Sequence, residues 1–323
     1  MQRFIRRSVI GFISAAVSAL ACAQDFPSQP FKFISAYPPG TSPDLIVRAI
    51  GRAVTGSLGQ PVVVDNRPGA GGVTAMQELI KSRPDGYTLM IVDTAQWAIY
   101  PMLRPGAYDP QKDMTPVSLV NTGALFLVVQ DSFPAKNLQE FIARVKENPG
   151  KFSYGSSGIG TAHHLSMESF KAALGLDIVH VPYKGSRESS TALLGGQIPM
   201  MVAGLSSVSE HLKGKMRLIA SSTAKRSRYA PDIPSMAEAR PGLTDLDFRA
   251  DQGIFAPAGT PRPVIEKLAD TIQRAVQSAD VIQSIEKIGL EPLSSTPERL
   301  ADLVRADLAT YSRAIKISGA KAD

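Results

Sequence analysis

Three loops rich in glycine and hydroxyl residues stand where a predicted strand ends and a predicted helix begins. They span Pro39–Asp44, Asn66–Gly72 and Gly155–Thr161, and a weaker fourth spans Tyr183–Arg187. In an open parallel sheet such loops gather at the carboxyl ends of the strands, where ligands bind. Helix starts carry unpaired N–H groups and positive dipole ends, so these loops favour a carboxylate held by neutral donors. A single loop of this kind is an ordinary turn or helix cap, but three in one chain indicate a binding site.

Catalytic and cofactor-binding patterns are incomplete in this sequence. The segment around Ser156 has Ile159 where the nucleophile elbow of a hydrolase needs its last glycine. No two of the four histidines have the helical spacing of a zinc site, and no Gly-Lys-Ser/Thr phosphate-binding loop occurs. The best enzyme alternative is a Ser/His hydrolase that pairs Ser156 with His164, without an acid near it to orient the imidazole. The sequence therefore predicts a protein that is not an enzyme and holds no cofactor or metal.

Short apolar runs alternate with segments of helical period along most of the chain, which is typical of a parallel sheet covered by helices. The residues after Lys225 are mostly helical and contain only one clear strand, so we expect them to pack on the first sheet. The predicted strands are Phe31–Ala36, Pro61–Asp65, Tyr87–Val92, Ala124–Val129, Phe152–Tyr154, Asp177–Val181, Ile198–Val202, Met216–Ser221 and Gly253–Ala256.

This order predicts an α/β fold of two lobes joined by two crossover segments, near Thr122–Ala124 and near Ser222–Lys225. The first lobe comprises residues 24–123 plus 225–323, and the second comprises residues 124–224. Two crossings between compact lobes form a hinge and leave a ligand cleft between the lobes. The alternative is two independent domains, one after the other.

Residues 1–23 have the pattern of a signal peptide. Three arginines precede the apolar run Ser8–Leu20, which is shorter than the roughly 20 residues that cross a bilayer as a helix. The small residues that follow predict cleavage after Ala23 and export to the periplasm. The alternatives are an uncleaved membrane anchor and a lipid attached to Cys22.

Composition also bears on the partners of the chain. Cleavage after Ala23 would remove the single cysteine, and it would remove three arginines from a formal net charge of +6. The remaining lysines and arginines are scattered, and the single tryptophan offers no platform for stacking bases. The sequence therefore predicts no nucleic-acid partner, and the modest positive balance suits an anionic ligand.

Six segments stand out together by their residues, order and spacing. They are Asn66–Gly72, Arg83–Leu89, Tyr154–Thr161, His180–Gly185, Leu194–Gln197 and Phe255–Pro261. In this arrangement the chain resembles the Bug family, the periplasmic substrate-binding components of tripartite tricarboxylate transporters. The resemblance extends from about Pro30 to Tyr311.

The resemblance implies a periplasmic binding protein-like fold of type II that closes on a small carboxylate ligand. It implies that the Gly155–Thr161 loop holds one carboxylate, that Pro39–Ser42 and Gly69–Gly71 face the other end, and that Tyr183 and Gly185 reach the cleft. The predicted ligand-binding set is Tyr37, Pro39, Gly40, Thr41, Ser42, Asp44, Gly69, Ala70, Gly71, Thr94, Ser156, Ser157, Gly160, Thr161, His164, Tyr183 and Gly185.

The resemblance also implies delivery of the ligand to two integral-membrane transporter subunits, and we expect the receptor itself to be a monomer. A ligand-presenting sensor for a membrane kinase is the alternative with the same binding chemistry. The roles of three residues in ligand binding stay open at this point. Thr41 replaces a glycine of the family pattern and would narrow or functionalise the pocket. Trp97 either walls the pocket or packs in the core, and Asp44 either complements its helix or touches ligand.

Overall fold

The structure, a computed structural model, describes residues 26–69, 72–241, 243 and 246–321, so the predicted signal peptide lies outside the described residues. The strands of the first sheet are β1 (Phe31–Ser35), β2 (Val62–Asn66), β3 (Thr88–Asp93), β4 (Met114–Thr122), β10 (Gln252–Pro257) and β11 (Glu291–Pro292). They lie in the order β11-β4-β10-β3-β1-β2. The first three strands are parallel, and β10 is antiparallel to both β3 and β4. Loops that follow β1, β2 and β3 therefore share one edge.

The second sheet is built in the same manner. Its strands are β5 (Leu125–Gln130), β6 (Ser153–Ser156), β7 (Val179–Pro182), β8 (Met200–Gly204) and β9 (Met216–Ser221). They lie in the order β7-β6-β8-β5-β9, and β6 is parallel to both β7 and β8. Loops after β6 and β7 therefore lie side by side, as the loops after β1 and β2 do in the first sheet.

Helices cover both sheets with apolar faces. They are α1 (Ser42–Leu58), α2 (Val73–Ile80), α3 (Thr94–Leu103), α4 (Leu138–Lys146), α5 (Ala162–Leu174), α6 (Ser186–Leu194), α7 (Arg262–Val276), α8 (Ala279–Glu286) and α9 (Pro297–Ser318). The long last helix α9 packs against α3 of the first lobe and against α5 of the second. One cluster of buried apolar residues accordingly runs through both lobes, from Ile34 and Met90 to Leu127 and Phe170. The predicted two-lobed α/β fold is confirmed, and β10 joins the first sheet.

The sequence pattern predicts neither α3 nor β4. Apolar residues occur on all sides of α3, which also contains Pro101, and five of its ten residues are buried. Such a helix lacks the one-sided periodicity that reveals a surface helix. In β4, Pro116 interrupts the strand pattern and burial continues through successive residues instead of alternating. Burial on both sides therefore hides both elements from a periodicity argument.

The backbone at Arg249–Asp251 is a second candidate, besides the predicted Ser222–Lys225, for the crossing back to the first lobe. Arg249 pairs with Ala124 in an antiparallel bridge, and the Ala250 N–H donates to the Gly123 carbonyl at 2.9 Å. The segment before this crossing stays with the second sheet, because Ser235 forms a parallel bridge to Ser221. The physical reason is that this irregular segment, though poor in strands, still supplies backbone groups to the edge strand β9.

Candidate functional site

A cavity of about 660 Å³ lies between the two lobes. Its first-lobe wall consists of the loop after β1, the end of β3 and one face of α3. The loops after β6 and β7 form its second-lobe wall. The lining residues that matter below are Tyr37, Thr41, Asp93, Ala95, Gln96, Ile99, Tyr100, Leu103, Arg104, Ser157, Gly158, Gly160, Thr161, Ala162, His163, Lys184, Gly185, Ser186 and Lys321.

Tyr37 connects the loop after β1 to the start of α3. Its hydroxyl donates to Gln96 Oε1 at 2.7 Å and accepts from the Asp93 N–H at 3.1 Å. Burial and the neighbouring Asp93 raise the pKa of Tyr37 well above its ordinary value. The phenol therefore keeps its proton and serves as a fixed neutral contact at this end of the cavity.

Asp44 holds the same loop from behind. Its carboxylate is 1% exposed and accepts from the Gly40 N–H at 2.9 Å, from Arg48 Nε at 2.9 Å and from Asn66 Nδ2 at 2.7 Å. Burial opposes ionisation, but these hydrogen bonds outweigh it and lower the pKa of Asp44. Thr41 occupies the N-cap position of α1. Asp44 is therefore a support of the loop and does not line the cavity.

The α3 wall has two stripes with the i, i+4 spacing that places side chains on one face. Ala95, Ile99 and Leu103 form an apolar stripe, and Gln96, Tyr100 and Arg104 form a polar one; all of them line the cavity. Because the sequence pattern does not predict α3, none of these six residues belongs to the predicted ligand-binding set. Spacing of four between like residues from 95 to 104 is the signal that could have identified them.

The loop after β6 is braced by His163. Ser157 Oγ lies 2.8 Å from His163 Nδ1, and Ser186 Oγ lies 3.4 Å from the other ring nitrogen. Burial lowers the pKa of His163 to about 4, so the ring is neutral at pH 7. One imidazole therefore joins the loops after β6 and β7 and fixes the distance between them.

Two further imidazoles, those of His164 and His180, lie behind this loop. His180 Nε2 is 2.7 Å from Ser156 Oγ, and His164 Nδ1 accepts from the Gly160 N–H at 3.1 Å. The two rings stack with centroids 4.1 Å apart. Burial lowers the pKa of both, to about 4 for His180. Ser156 is fully buried and pairs with His180, so the Ser156–His164 catalytic pair of the enzyme alternative is not formed.

Glycine and the start of α5 leave the backbone of this loop open. The Thr161 hydroxyl donates to the Gly158 carbonyl at 2.8 Å, so its proton is used within the loop and not offered to a ligand. Helix α5 begins at Ala162, and the first N–H groups of a helix have no partner within it. Gly160 has φ 72°, and a Cβ there would collide with Leu103 Cδ1 across the cleft. The two walls are thus in contact at this point.

Charge is unevenly distributed around the cavity. Arg104, Lys184 and Lys321 line it, and Asp93 is the one acidic residue among the described lining residues. Cations combined with unpaired N–H groups favour an anionic ligand. Among the residues that the structure describes, no group of three potential ligating side chains is placed to hold a metal ion. No helix in the same ranges has the length and apolar content to span a bilayer.

The structure brings six residues of the predicted set to the cavity and places eight others around it. Ala70 and Gly71 lie outside the described residues, and Ser42 is the first residue of α1. The contact of the set with ligand stays a prediction. Those at the cavity are Tyr37, Thr41, Ser157, Gly160, Thr161 and Gly185; those that do not line it are Pro39, Gly40, Asp44, Gly69, Thr94, Ser156, His164 and Tyr183.

The structure shows where Thr41 and Trp97 lie, two residues whose roles the sequence left open. The Thr41 hydroxyl donates to the Pro38 carbonyl at 2.7 Å, so this side chain narrows the cavity without offering its donor to a ligand. Trp97 is 1% exposed and stacks on Phe255 with ring centroids 5.7 Å apart. Trp97 is therefore a core residue and not a pocket wall.

Residues 46–319 match the model of a family described as tripartite tricarboxylate transporter family receptor. The chain is 33% identical to the protein BugT of Bordetella pertussis over 324 residues, which cover 99% of each chain. It is also 36% identical over 309 residues to a UPF0065 protein of Cupriavidus necator, with 93% of each chain covered.

Solved structures agree with this match. A periplasmic transporter structure is 38% identical, with a TM-score of 0.79 over 92% of this chain and 100% of that one. An R. palustris protein solved with adipate is 30% identical, with a TM-score of 0.79 over 92% and 99% of the two chains. MatC from Rhodopseudomonas palustris, solved with bound malate, is 29% identical, with a TM-score of 0.75 over 90% and 100%.

Proposed function

Because this chain belongs to the family of tripartite tricarboxylate transporter receptors, we propose that its cleft closes on one small organic carboxylate, which the receptor then delivers to the membrane components of its transporter. The protein is a solute-binding receptor of this family, and two of its structural relatives were solved with the carboxylates adipate and malate. The observation that carries the proposal is a cavity lined by cations from both lobes and by the first turn of α5.

The binding energetics need no covalent or metal step. A carboxylate that exchanges water for N–H donors gains charge-assisted hydrogen bonds of about 1.5–3 kcal/mol each. The first turn of α5, lined at the cavity by Ala162 and His163, supplies such donors together with its positive dipole end. Arg104 and Lys184 add cations from opposite lobes. Micromolar affinity requires only about 8 kcal/mol.

Closure of the lobes follows from this division of the contacts. A ligand that touches both walls binds the closed form more tightly than the open form, so it shifts the population towards closure. The contact between Gly160 and Leu103 marks where the walls meet. We propose binding without turnover, because the buried Ser156 hydroxyl is already paired with His180.

Cellular location and partners complete the proposal. The relatives support a periplasmic protein, and we propose export by the signal peptide with cleavage after Ala23. We further propose a monomer that meets two integral-membrane subunits. The division of the chain at residues 123 and 225 is replaced in this proposal by crossings at Gly123–Ala124 and Arg249–Asp251, which the backbone hydrogen bonds support.

A thermal-shift screen tests the binding proposal directly. The chain from Gln24 onward is heated with small acids, and each acid is paired with its primary amide as an uncharged control. A ligand present at a hundred times its dissociation constant adds about 2.7 kcal/mol to the free energy of unfolding. Acids should raise the melting temperature and amides should not. Equal shifts with the amides, or none with any acid, would overturn the proposal. Loss of uptake in a deletion strain separates transport from sensing.

A further inference from the structure

Asp93 is an acidic residue in a cavity that otherwise suits anions. It ends β3, precedes α3 and lines the cavity. The cations of the lining come from other segments, namely the end of α3, the loop after β7 and the carboxyl-terminal tail. The positive charge of the lining therefore comes from other segments, and the start of α3 contributes a carboxyl group.

The side chain of Asp93 does not cap α3, although the residue stands at its N-cap position. Asp93 occupies the N-cap position of α3, where aspartate ranks among the best residues because its carboxylate accepts from the first N–H groups. Here it makes no such bond, and its carboxyl group instead meets Tyr37 and Gln252. A residue that breaks a local rule without a local gain is expected at a functional site.

The neighbours of Asp93 leave its charge uncompensated. Burial raises the pKa of Asp93, and the polar groups next to its carboxyl group are those of Tyr37 and Gln252. Among the described residues, no cation contributes to this shift. The positive end of the α3 dipole would favour an anion here, but Asp93 itself already supplies that charge. A ligand carboxylate at this end would face a like charge in an enclosed site, an arrangement that costs several kcal/mol.

The hydrogen bond between Tyr37 and Gln96, beside Asp93, has a defined direction. The Tyr37 hydroxyl donates to Gln96 Oε1, so the carboxamide oxygen of Gln96, and not its NH₂ group, faces Tyr37. Gln96 and Arg104 are two turns apart on the polar stripe of α3, about 12 Å along the helix axis. The cavity can therefore hold an extended ligand whose two ends meet different chemistry.

We propose that Asp93 is a specificity-determining residue that selects a monocarboxylate with a hydrogen-bond donor at its far end, a hydroxyl or an ammonium group, and rejects a second carboxylate. This inference rests on the proposed function, because the first carboxylate is the one held at the second-lobe loop. The carboxyl group of Asp93 accepts from the donor, and the apolar stripe Ala95, Ile99 and Leu103 contacts the carbon chain between the ends.

A matched ligand series tests the inference. Hexanoate, 6-hydroxyhexanoate, 6-aminohexanoate and adipate share one chain length and differ only at the far end, and 4-hydroxybutyrate with succinate repeats the comparison in a shorter chain. By titration calorimetry at pH 7.5 we expect the hydroxy and amino acids to bind at least about tenfold more tightly than the dicarboxylate of equal length. In Asp93→Asn this preference should fall by about tenfold, because the repulsion is removed.

Asp280→Asn is the matched control, since it removes an exposed carboxylate at the start of α8 and should leave the preference unchanged. Adipate binding as tightly as 6-hydroxyhexanoate to the unchanged protein would overturn the inference, whatever the folding of the variant. An unchanged preference in a folded Asp93→Asn would do the same. Failure of the proposed function looks different, because then no member of the series binds.

Discussion

The two walls of the cleft are built on different principles. In the second-lobe wall the hydroxyls and imidazoles bond to one another, as in Ser157 with His163 and Ser156 with His180, so that the backbone is what remains for a ligand. In the first-lobe wall the side chains of α3 line the cavity themselves. Backbone donors recognise a carboxylate whatever the rest of the ligand is, whereas side chains discriminate. The backbone donors that capture the carboxylate therefore lie on the second lobe, and the first lobe adds one cation and the side chains that select.

Contact between the walls provides the most severe test of this comparison. Gly160→Ala adds a Cβ that collides with Leu103 and places a side chain at φ 72°, a conformation that costs about 1 kcal/mol or more. Because the Leu103 side chain or the wall that carries it must move before the closed cleft accepts the Cβ, we expect affinity for the best acid of the screen to fall, by up to about a hundredfold, measured by titration calorimetry. Gly175→Ala is the control: it has φ 64° at the end of α5, with nothing within 4 Å. An equal loss in both variants would show that strain, and not closure, is responsible.

Arg104 tests the charge of the selecting wall. Arg104→Gln removes a cation that lines the cavity but keeps a side chain of similar reach. We expect the affinity for carboxylates to fall about tenfold, as for the loss of one charge-assisted hydrogen bond. The salt dependence of binding should weaken as well. Arg274→Gln, an exposed arginine of α7, should change neither. An affinity that is unchanged in Arg104→Gln would assign anion capture to the second lobe alone.

Much of the capturing wall could be predicted from the sequence, and most of the selecting wall could not. Glycines and hydroxyls between Gly155 and Thr161 announce a strand-to-helix loop, because few other residues fit such turns. The lining residues of α3 show only a spacing of four between like residues, and a helix buried on several sides has no overall amphipathic period that would reveal the helix itself. The contact between His180 and Ser156 could not be predicted either, because helix α5 separates the two residues in the sequence. They meet only when strands β6 and β7 pair.

Acid should loosen the capturing wall. The pKa of His180 is about 4 in the folded chain, below the usual 6.5, so the unfolded chain takes up the proton first as the pH falls. The contribution of His180 to stability is therefore complete above about pH 6.5 and decreases between that pH and about 4. Asp251 has the opposite sign: burial raises its pKa to about 7, so its contribution decreases as the pH rises towards 7. Only a comparison of variants separates the two.

His180→Gln makes that comparison, because the glutamine amide can still reach Ser156 but does not titrate. We expect the loss of unfolding free energy between pH 7 and pH 5 to be about 1 kcal/mol smaller in this variant, discounted because His180 is partly exposed. Urea unfolding at the two pH values measures it. His211→Gln replaces a histidine outside the cleft and should match the unchanged protein. Equal pH dependence in all three would mean that the imidazoles do not brace the loop through their neutral form.

Ser157 should give the smallest effect, and that smallness is itself informative. Ser157 lines the cavity, but its hydroxyl is hydrogen-bonded to His163, so a ligand would compete with the imidazole for it. Ser157→Ala removes a brace and one shared contact, for which we expect a loss of about threefold in affinity, less than one full hydrogen bond. Ser57→Ala removes an exposed hydroxyl that is bonded within α1 and does not line the cavity, and it serves as the control that leaves affinity unchanged. A loss in Ser157→Ala as large as that in Arg104→Gln would show that side chains, and not the backbone, hold the carboxylate in the second lobe, and the division between capture and selection would then lose its basis.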